Sequence, residues 1–293
     1  MRNVLVAGRF FLLALTLCSL GAACSDDKAN SFSGTRAYRH VRAQCKLGPR
    51  PPGSDAGRRA GEYIIKNLQE TNWDVRTQEF EEHETDLRNI IGVKGEGPVV
   101  ILGAHYDTRP IADREPGDRK PPVMGGNDGA SGVAVLLELA RTLDVEKSEH
   151  QVWLAFFDAE DSYGIGDWEW SVGAWHLADS LTIRPSYAII VDMVGDADQQ
   201  LYWEWSSTRW LQEQVWDIAH DLGYEAQFVA EYRHSIIDDH LPFLYHDIPA
   251  IDIIDFDYPY WHTSQDTEDK VSPESLERVG RVLETLLEGE PGS

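Results

Sequence analysis

Three apolar runs, each closing on ionisable residues, constrain this chain more than any other feature. PVVILGA runs into His105-Tyr106-Asp107, QVWLAFF into Asp158-Ala159-Glu160-Asp161, and YAIIV into Asp192. Continuous apolar runs of this length are strands buried on both faces. Amphipathic segments separate them. DAGRRAGEYIIKNLQETN (55–72) carries Ala60, Tyr63, Ile64 and Leu68 at helical spacing, and SGVAVLLELARTL (131–143), WLQEQVWDIAHDLG and PESLERVGRVLETLLEG repeat the pattern. Gly223 stands where a helix C-cap belongs, and Ser272-Pro273 where a cap and first helical residue belong. VRTQEF, LRNIIGV and PAIDIID read as further strands. The alternation predicts an α/β fold, a three-layer α-β-α sandwich around a central mixed, largely parallel sheet.

In such sheets ligands bind outside the carboxyl ends of the strands. Here three strand ends deliver acids or an imidazole, so they predict one shared site. Two loops add to it. GGNDGASG (125–132) sets Asp128 in a tight glycine-rich turn before a helix, and YWHTSQDTEDK (260–270) sets His262 between aromatics and acids. Zinc takes imidazole and carboxylate ligands and, in catalytic sites, keeps one position open. Asp128, Asp161 and His262 are candidate ligands on that basis. His105 and Asp192 could build a second metal position bridged by Asp128, or could serve as hydrogen-bonding neighbours. Asp107, two residues beyond His105, is placed to hold its imidazole. Of the adjacent Glu160 and Asp161, one can bind the cation while the other stays free to move protons, and the metal offsets their repulsion.

The remaining features are plainer. MRNVLVAGRFFLLALTLCSLGAAC reads as an export leader over 1–23: Arg2 and Arg9 lead an apolar core, and Gly21-Ala22-Ala23 makes a small-residue cleavage site. Cys24 behind it resembles a bacterial lipobox cysteine, and 24–34 reads as a polar tether. A single domain is expected over 35–293. On this reading the protein is periplasmic and held to the outer membrane only through a lipid at Cys24. Beyond Cys18 and Cys24 only Cys45 remains, so no disulfide framework is expected. A net charge of −24 with no basic stripe argues against nucleic acid. GASG lacks the G-x-S-x-G spacing of a nucleophile elbow, and no Walker loop or paired C-x-x-C occurs.

The motifs GAHYDTRP, PVMGGNDGASG, FFDAED, VDMVGD, DDHLPFL and YWHT together resemble the zinc aminopeptidase-like clan, and within it the glutaminyl cyclases, from QCKLGPRPPGS to the closing helix. Dizinc aminopeptidases usually carry Ser-Asp-His where this chain has Asp238-Asp239-His240, and often Tyr in place of Trp261. The resemblance implies one zinc ion on Asp128, Asp161 and His262, with two not forbidden. It implies Glu160 as proton shuttle, Asp192 and Asp238 as a supporting acid network, and Trp261 as a pocket wall. The implied reaction turns the N-terminal glutamine of a peptide or protein into pyroglutamate with release of ammonia. Two features depart from the animal cyclases: Asp161 replaces a usual Glu, and GGNDGASG looks more like an aminopeptidase turn. An exported dizinc aminopeptidase is the principal alternative, and a ligand-binding protein that keeps the fold without activity is another.

Overall fold

The computed structural model describes residues 31–117 and 120–289. The expected leader over 1–23, the cysteine at 24 and the tether as far as residue 30 lie outside the described residues. The compact unit begins at Phe32. That ring is buried and its N–H donates to the Glu284 carboxylate at 3.2 Å, so packing starts slightly ahead of the boundary expected at 35. An apolar side chain inside the polar tether sequence is what anchors it.

Eight strands are present among the described residues: β1 (Asp74–Glu82), β2 (Thr85–Lys94), β3 (Val99–His105), β4 (Gln151–Phe157), β5 (Tyr187–Asp192), β6 (Leu201–Glu204), β7 (Phe228–His234) and β8 (Ala250–Ile254). The main sheet runs β1-β2-β4-β3-β5-β8. Its β4-β3-β5-β8 half is parallel, while β1 and β2 form an antiparallel hairpin joined to β4. The sheet is therefore mixed and largely parallel in its functional half, as expected. A separate parallel pair, β6 with β7, sits outside it.

Helices α1 (Gly34–Cys45), α2 (Asp55–Glu70), α3 (Ala130–Thr142), α4 (Val172–Ser180), α5 (Arg209–Asp221), α6 (His240–Tyr245) and α7 (Pro273–Glu288) cover both faces. Side chains alternate across a strand, and the two cores follow that rule. Val100, Leu102 and Ala104 join the larger core under α1, α2, α3, α5 and α7, whereas Val99 and Ile101 join a smaller one under α4 and α6. Two caps form as expected: Gly223 adopts φ 80° after α5, and the Ser272 hydroxyl accepts from the N–H groups of Glu274 and Ser275 ahead of α7. The helices α1, α4 and α6 and the pair β6–β7 had no counterpart in the pattern. α4 and α6 are short, and four-residue β6 is too brief to show a period.

Candidate metal centre and its acid pocket

Adjacent parallel strands end on one edge of the sheet, so β4, β3 and β5 bring their terminal acids together. His105 closes β3, Asp192 closes β5, and Glu160 and Asp161 follow β4. Reaching the site strains the backbone. Ala159 (φ 58°), Met193 (φ 46°) and His262 (φ 55°) all adopt left-handed conformations that cost on the order of 1–3 kcal/mol each. Each is a site residue or the neighbour of one. Asp128 comes from the loop before α3. Gly129 beside it has φ 94°, and a side chain there would meet the Asp107 carbonyl. Gly132 lets α3 approach β5, since a Cβ would stand 2.1 Å from the Val191 carbonyl.

Asp128 is the hinge of the arrangement. Its Oδ1 lies 3.2 Å from His105 Nε2, and its Oδ2 lies 3.9 Å from His262 Nε2. His262 Nε2 is 2.9 Å from Asp161 Oδ1, and His105 Nε2 is 3.0 Å from Asp192 Oδ1. Two triads result, Asp128–Asp161–His262 and His105–Asp128–Asp192, each with its donor atoms within 4.8 Å of one another. Asp128 Oδ2 and Asp161 Oδ2 are buried and lack a hydrogen-bond partner among the described residues. Buried carboxylate oxygens without donors are rare because they forfeit solvation. An imidazole and two carboxylates with unused oxygens fit a zinc ion.

The electrostatics carry the same signature. Burial, with Asp128 close by, pushes the Asp161 carboxyl up to about 6. Burial opposes ionisation of Asp128 too, but the hydrogen bond from His105 holds its carboxyl below the ordinary range. Burial works against charge on His105, and Asp192 overcomes it, leaving the imidazole well above its usual value. A cation among these groups removes the repulsion that protonation otherwise relieves.

A supporting layer holds the ligands. Asp107 faces His105 Nδ1 at 3.3 Å, as expected, and accepts the N–H groups of Glu160 and Asp161, each at 3.1 Å. Sequence reasoning missed three further members. Asp266 accepts the N–H groups of Asn127 (2.8 Å) and Asp128 (3.1 Å) and the Tyr258 hydroxyl (2.7 Å). Asp113 lies 3.3 Å from His262 Nδ1 and is gripped by Arg109, which also donates to the carbonyls of Asp161 and Tyr163. Their only signal was nearness to quoted motifs: Arg109 inside GAHYDTRP, Asp266 inside YWHTSQDTEDK, and Asp113 four residues past Arg109.

Over the triads lies a cavity of about 250 Å³ bordered by Glu160, Asp192, Asp238, Ile237, Trp170 and Trp261. Burial raises the Glu160 carboxyl well above the usual range against the pull of His105, with Asp238 adding to the rise. Asp238 is pushed up to about 7 by burial and by Asp192. Behind it Asp239 and Asp252 are fully buried, and neither oxygen of Asp252 finds a hydrogen-bond partner among the described residues. Trp261 packs on His262 with ring centres 4.1 Å apart and on Phe256 at 4.7 Å, with the Arg114 guanidinium 4.0 Å over its face. All nine residues assigned to the site from sequence, from His105 and Asp107 to Trp261 and His262, thus meet in one region, and Cys24 lies outside the described residues.

The profile of peptidase family M28 matches residues 89–287, spanning the whole constellation. The chain belongs to peptidase family M28. A glutaminyl-peptide cyclotransferase of Drosophila melanogaster is 27% identical, over 82% of this chain and 78% of that protein. The crystal structure of a Bacteroides thetaiotaomicron glutaminyl cyclase bound to N-acetylhistamine superposes with a TM-score of 0.82 at 29% identity, covering 89% of this chain and 99% of that one. A Zn-dependent exopeptidase from Parabacteroides distasonis superposes equally well, with a TM-score of 0.82 at 31% identity over 89% and 99%. The M28 fold seen here is thus shared by cyclases and exopeptidases, and the site must distinguish them.

Proposed function

We propose that this M28 chain is a zinc-dependent glutaminyl-peptide cyclotransferase, closing the N-terminal glutamine of peptides and proteins to pyroglutamate with release of ammonia. The observation that carries the reading is Asp238 in the same cavity as Glu160 and Asp192, so that three carboxyl groups face the substrate side of the metal triad. Cyclisation needs a proton taken from one nitrogen and given to another. Acids side by side in a buried pocket suit that transfer.

Asp128, Asp161 and His262 would hold one zinc ion, which when bound supplies Lewis acidity to the side-chain amide carbonyl. His105 is then a hydrogen-bonding neighbour, with carboxylates at both ring nitrogens. Glu160 accepts a proton from the α-amine as its nitrogen bonds to the side-chain carbonyl carbon. It then delivers a proton to the amide nitrogen as the carbon–nitrogen bond breaks and ammonia leaves. Asp192 and Asp238 hydrogen-bond the reacting amine and orient it. Trp261 and Ile237 wall the cavity and limit water, which would otherwise compete as nucleophile. Since attack is intramolecular, orientation supplies much of the acceleration.

Asp238→Ser tests this reading. Cyclisation of a glutaminyl peptide should fall at least about 10²-fold, the range for loss of a proton-handling group, while zinc content stays unchanged. Undiminished cyclisation would remove the distinction from an aminopeptidase. The leader sequence further supports export to the periplasm with lipid attachment at Cys24. Metabolic labelling with an alkyne fatty acid should mark the protein and fail to mark Cys24→Ala.

A further inference from the structure

A second depression adjoins the catalytic cavity. It encloses about 490 Å³ between the end of β1 and the start of α4, and Trp170 lines both spaces. Apart from Val172, its apolar surfaces are aromatic. Phe80 stacks on His176 with ring centres 4.1 Å apart, and Trp170 meets Trp175 edge-on at 5.3 Å. Its polar groups include Glu81, Glu82, Glu169 and Asp179, with no Lys or Arg among the lining residues. The ion pairs recorded for these acids are with histidines, Glu82 with His83 and Asp179 with His246. Some acids elsewhere on the surface pair with Arg or Lys, as in Glu62 with Arg88 and Glu213 with Arg209, but none of those lining the groove does so among the described residues.

We propose that this groove binds the substrate chain at its third and fourth residues and selects lysine or arginine there. The inference rests on the cyclotransferase reading for the placement of the N-terminus. A peptide with its first residue in the catalytic cavity leaves past Trp170, and each further residue extends about 3.3–3.6 Å, so the next few reach the groove. A lysine or arginine stem packs on the aromatic rings while its charge meets Glu81, Glu82 and Glu169. That pairing combines cation–π attraction with opposite charge, and each part is weak alone.

The test compares Gln-Ala-Lys-Lys-Ala, Gln-Ala-Glu-Glu-Ala and the dipeptide Gln-Ala, on the wild-type protein and on the triple variant Glu81→Gln, Glu82→Gln, Glu169→Gln. The wild type should show a KM for the lysine peptide about three- to tenfold below that for the glutamate peptide, as several weak charge and cation–π contacts imply. In the triple variant this gap should close, with kcat/KM for Gln-Ala unchanged. Trp175→Ala should raise KM for the lysine peptide alone. Equal KM values in the wild type, or a gap that survives in the triple variant, would overturn the groove. The surviving gap would trace to the overall charge of −24. If Gln-Ala is not cyclised at all, the cyclotransferase reading fails. Calorimetric titration of both pentapeptides then still decides the groove, since tighter lysine-peptide binding lost in the triple variant supports it and equal binding refutes it.

Discussion

Asp107 accepts the backbone N–H of Asp161 at 3.1 Å through one carboxylate oxygen, and the N–H of Glu160 at the same distance through the other. It is fully buried, and it also faces His105. One acid from the end of β3 therefore fixes the turn after β4, where a candidate ligand and the candidate proton shuttle stand side by side. Asp107→Ala removes both acceptors. Zinc affinity should fall about 10–100-fold, the usual cost of losing an outer partner of a metal site. Competition with a chromophoric chelator reads this directly. Unchanged affinity would mean that the turn holds itself.

Glu160 and Asp161 differ in what they face. Both border the cavity, but Asp161 Oδ1 lies 2.9 Å from His262 within a ligand triad, whereas Glu160 belongs to neither triad. Glu160→Gln keeps the shape and removes the exchangeable proton. Metal content by elemental analysis should match the wild type, and turnover should fall about 10²–10⁴-fold. Loss of metal in this variant would exchange the roles of the two residues.

The strand-end acids were legible because burial forces those strands into apolar runs, and the run stops where the site begins. His105, Asp161 and Asp192 stand out against that background. Asp128 and His262 were legible from their loops, one rich in glycine and the other in aromatics. Asp113, Arg109 and Asp266 were not. Their side chains come from irregular loops with no period, and they meet the ligands only once the chain is folded. Neutral-looking acids in a chain of net charge −24 carry no mark of burial. Phe32 shows the same limit in the fold, a lone apolar residue in a polar stretch whose partner Glu284 is 252 positions away.

Asp113 should matter through His262. Its carboxylate lies 3.3 Å from His262 Nδ1 and is held by Arg109. Asp113→Ala frees the ring to turn, so zinc affinity should fall about tenfold while KM of the reloaded protein changes little. A KM change with full metal affinity would point to a direct substrate contact instead.

Asp255 gives a pH signature away from the ligands. Burial pushes its carboxyl up to about 7, although it accepts the Gln200 N–H at 2.8 Å. Between the ordinary carboxyl range and about 7 the folded protein keeps a proton that the unfolded chain releases. Stability from this group is therefore present at low pH and declines as pH rises through that window. Asp255→Asn should raise stability by on the order of 2 kcal/mol at pH 8 and by much less at pH 5. Thermal unfolding at both pH values checks it, and equal gains would exclude a retained proton.

The most direct measurement incubates the zinc-loaded protein, lacking residues 1 to 24, with one glutaminyl and one leucyl peptide in the same vessel, followed by mass spectrometry. The glutaminyl peptide should lose ammonia with its chain intact, and the leucyl peptide should remain unchanged. Release of the first residue from either peptide would contradict the cyclotransferase reading, and would make the His105–Asp128–Asp192 triad the second metal position of an aminopeptidase.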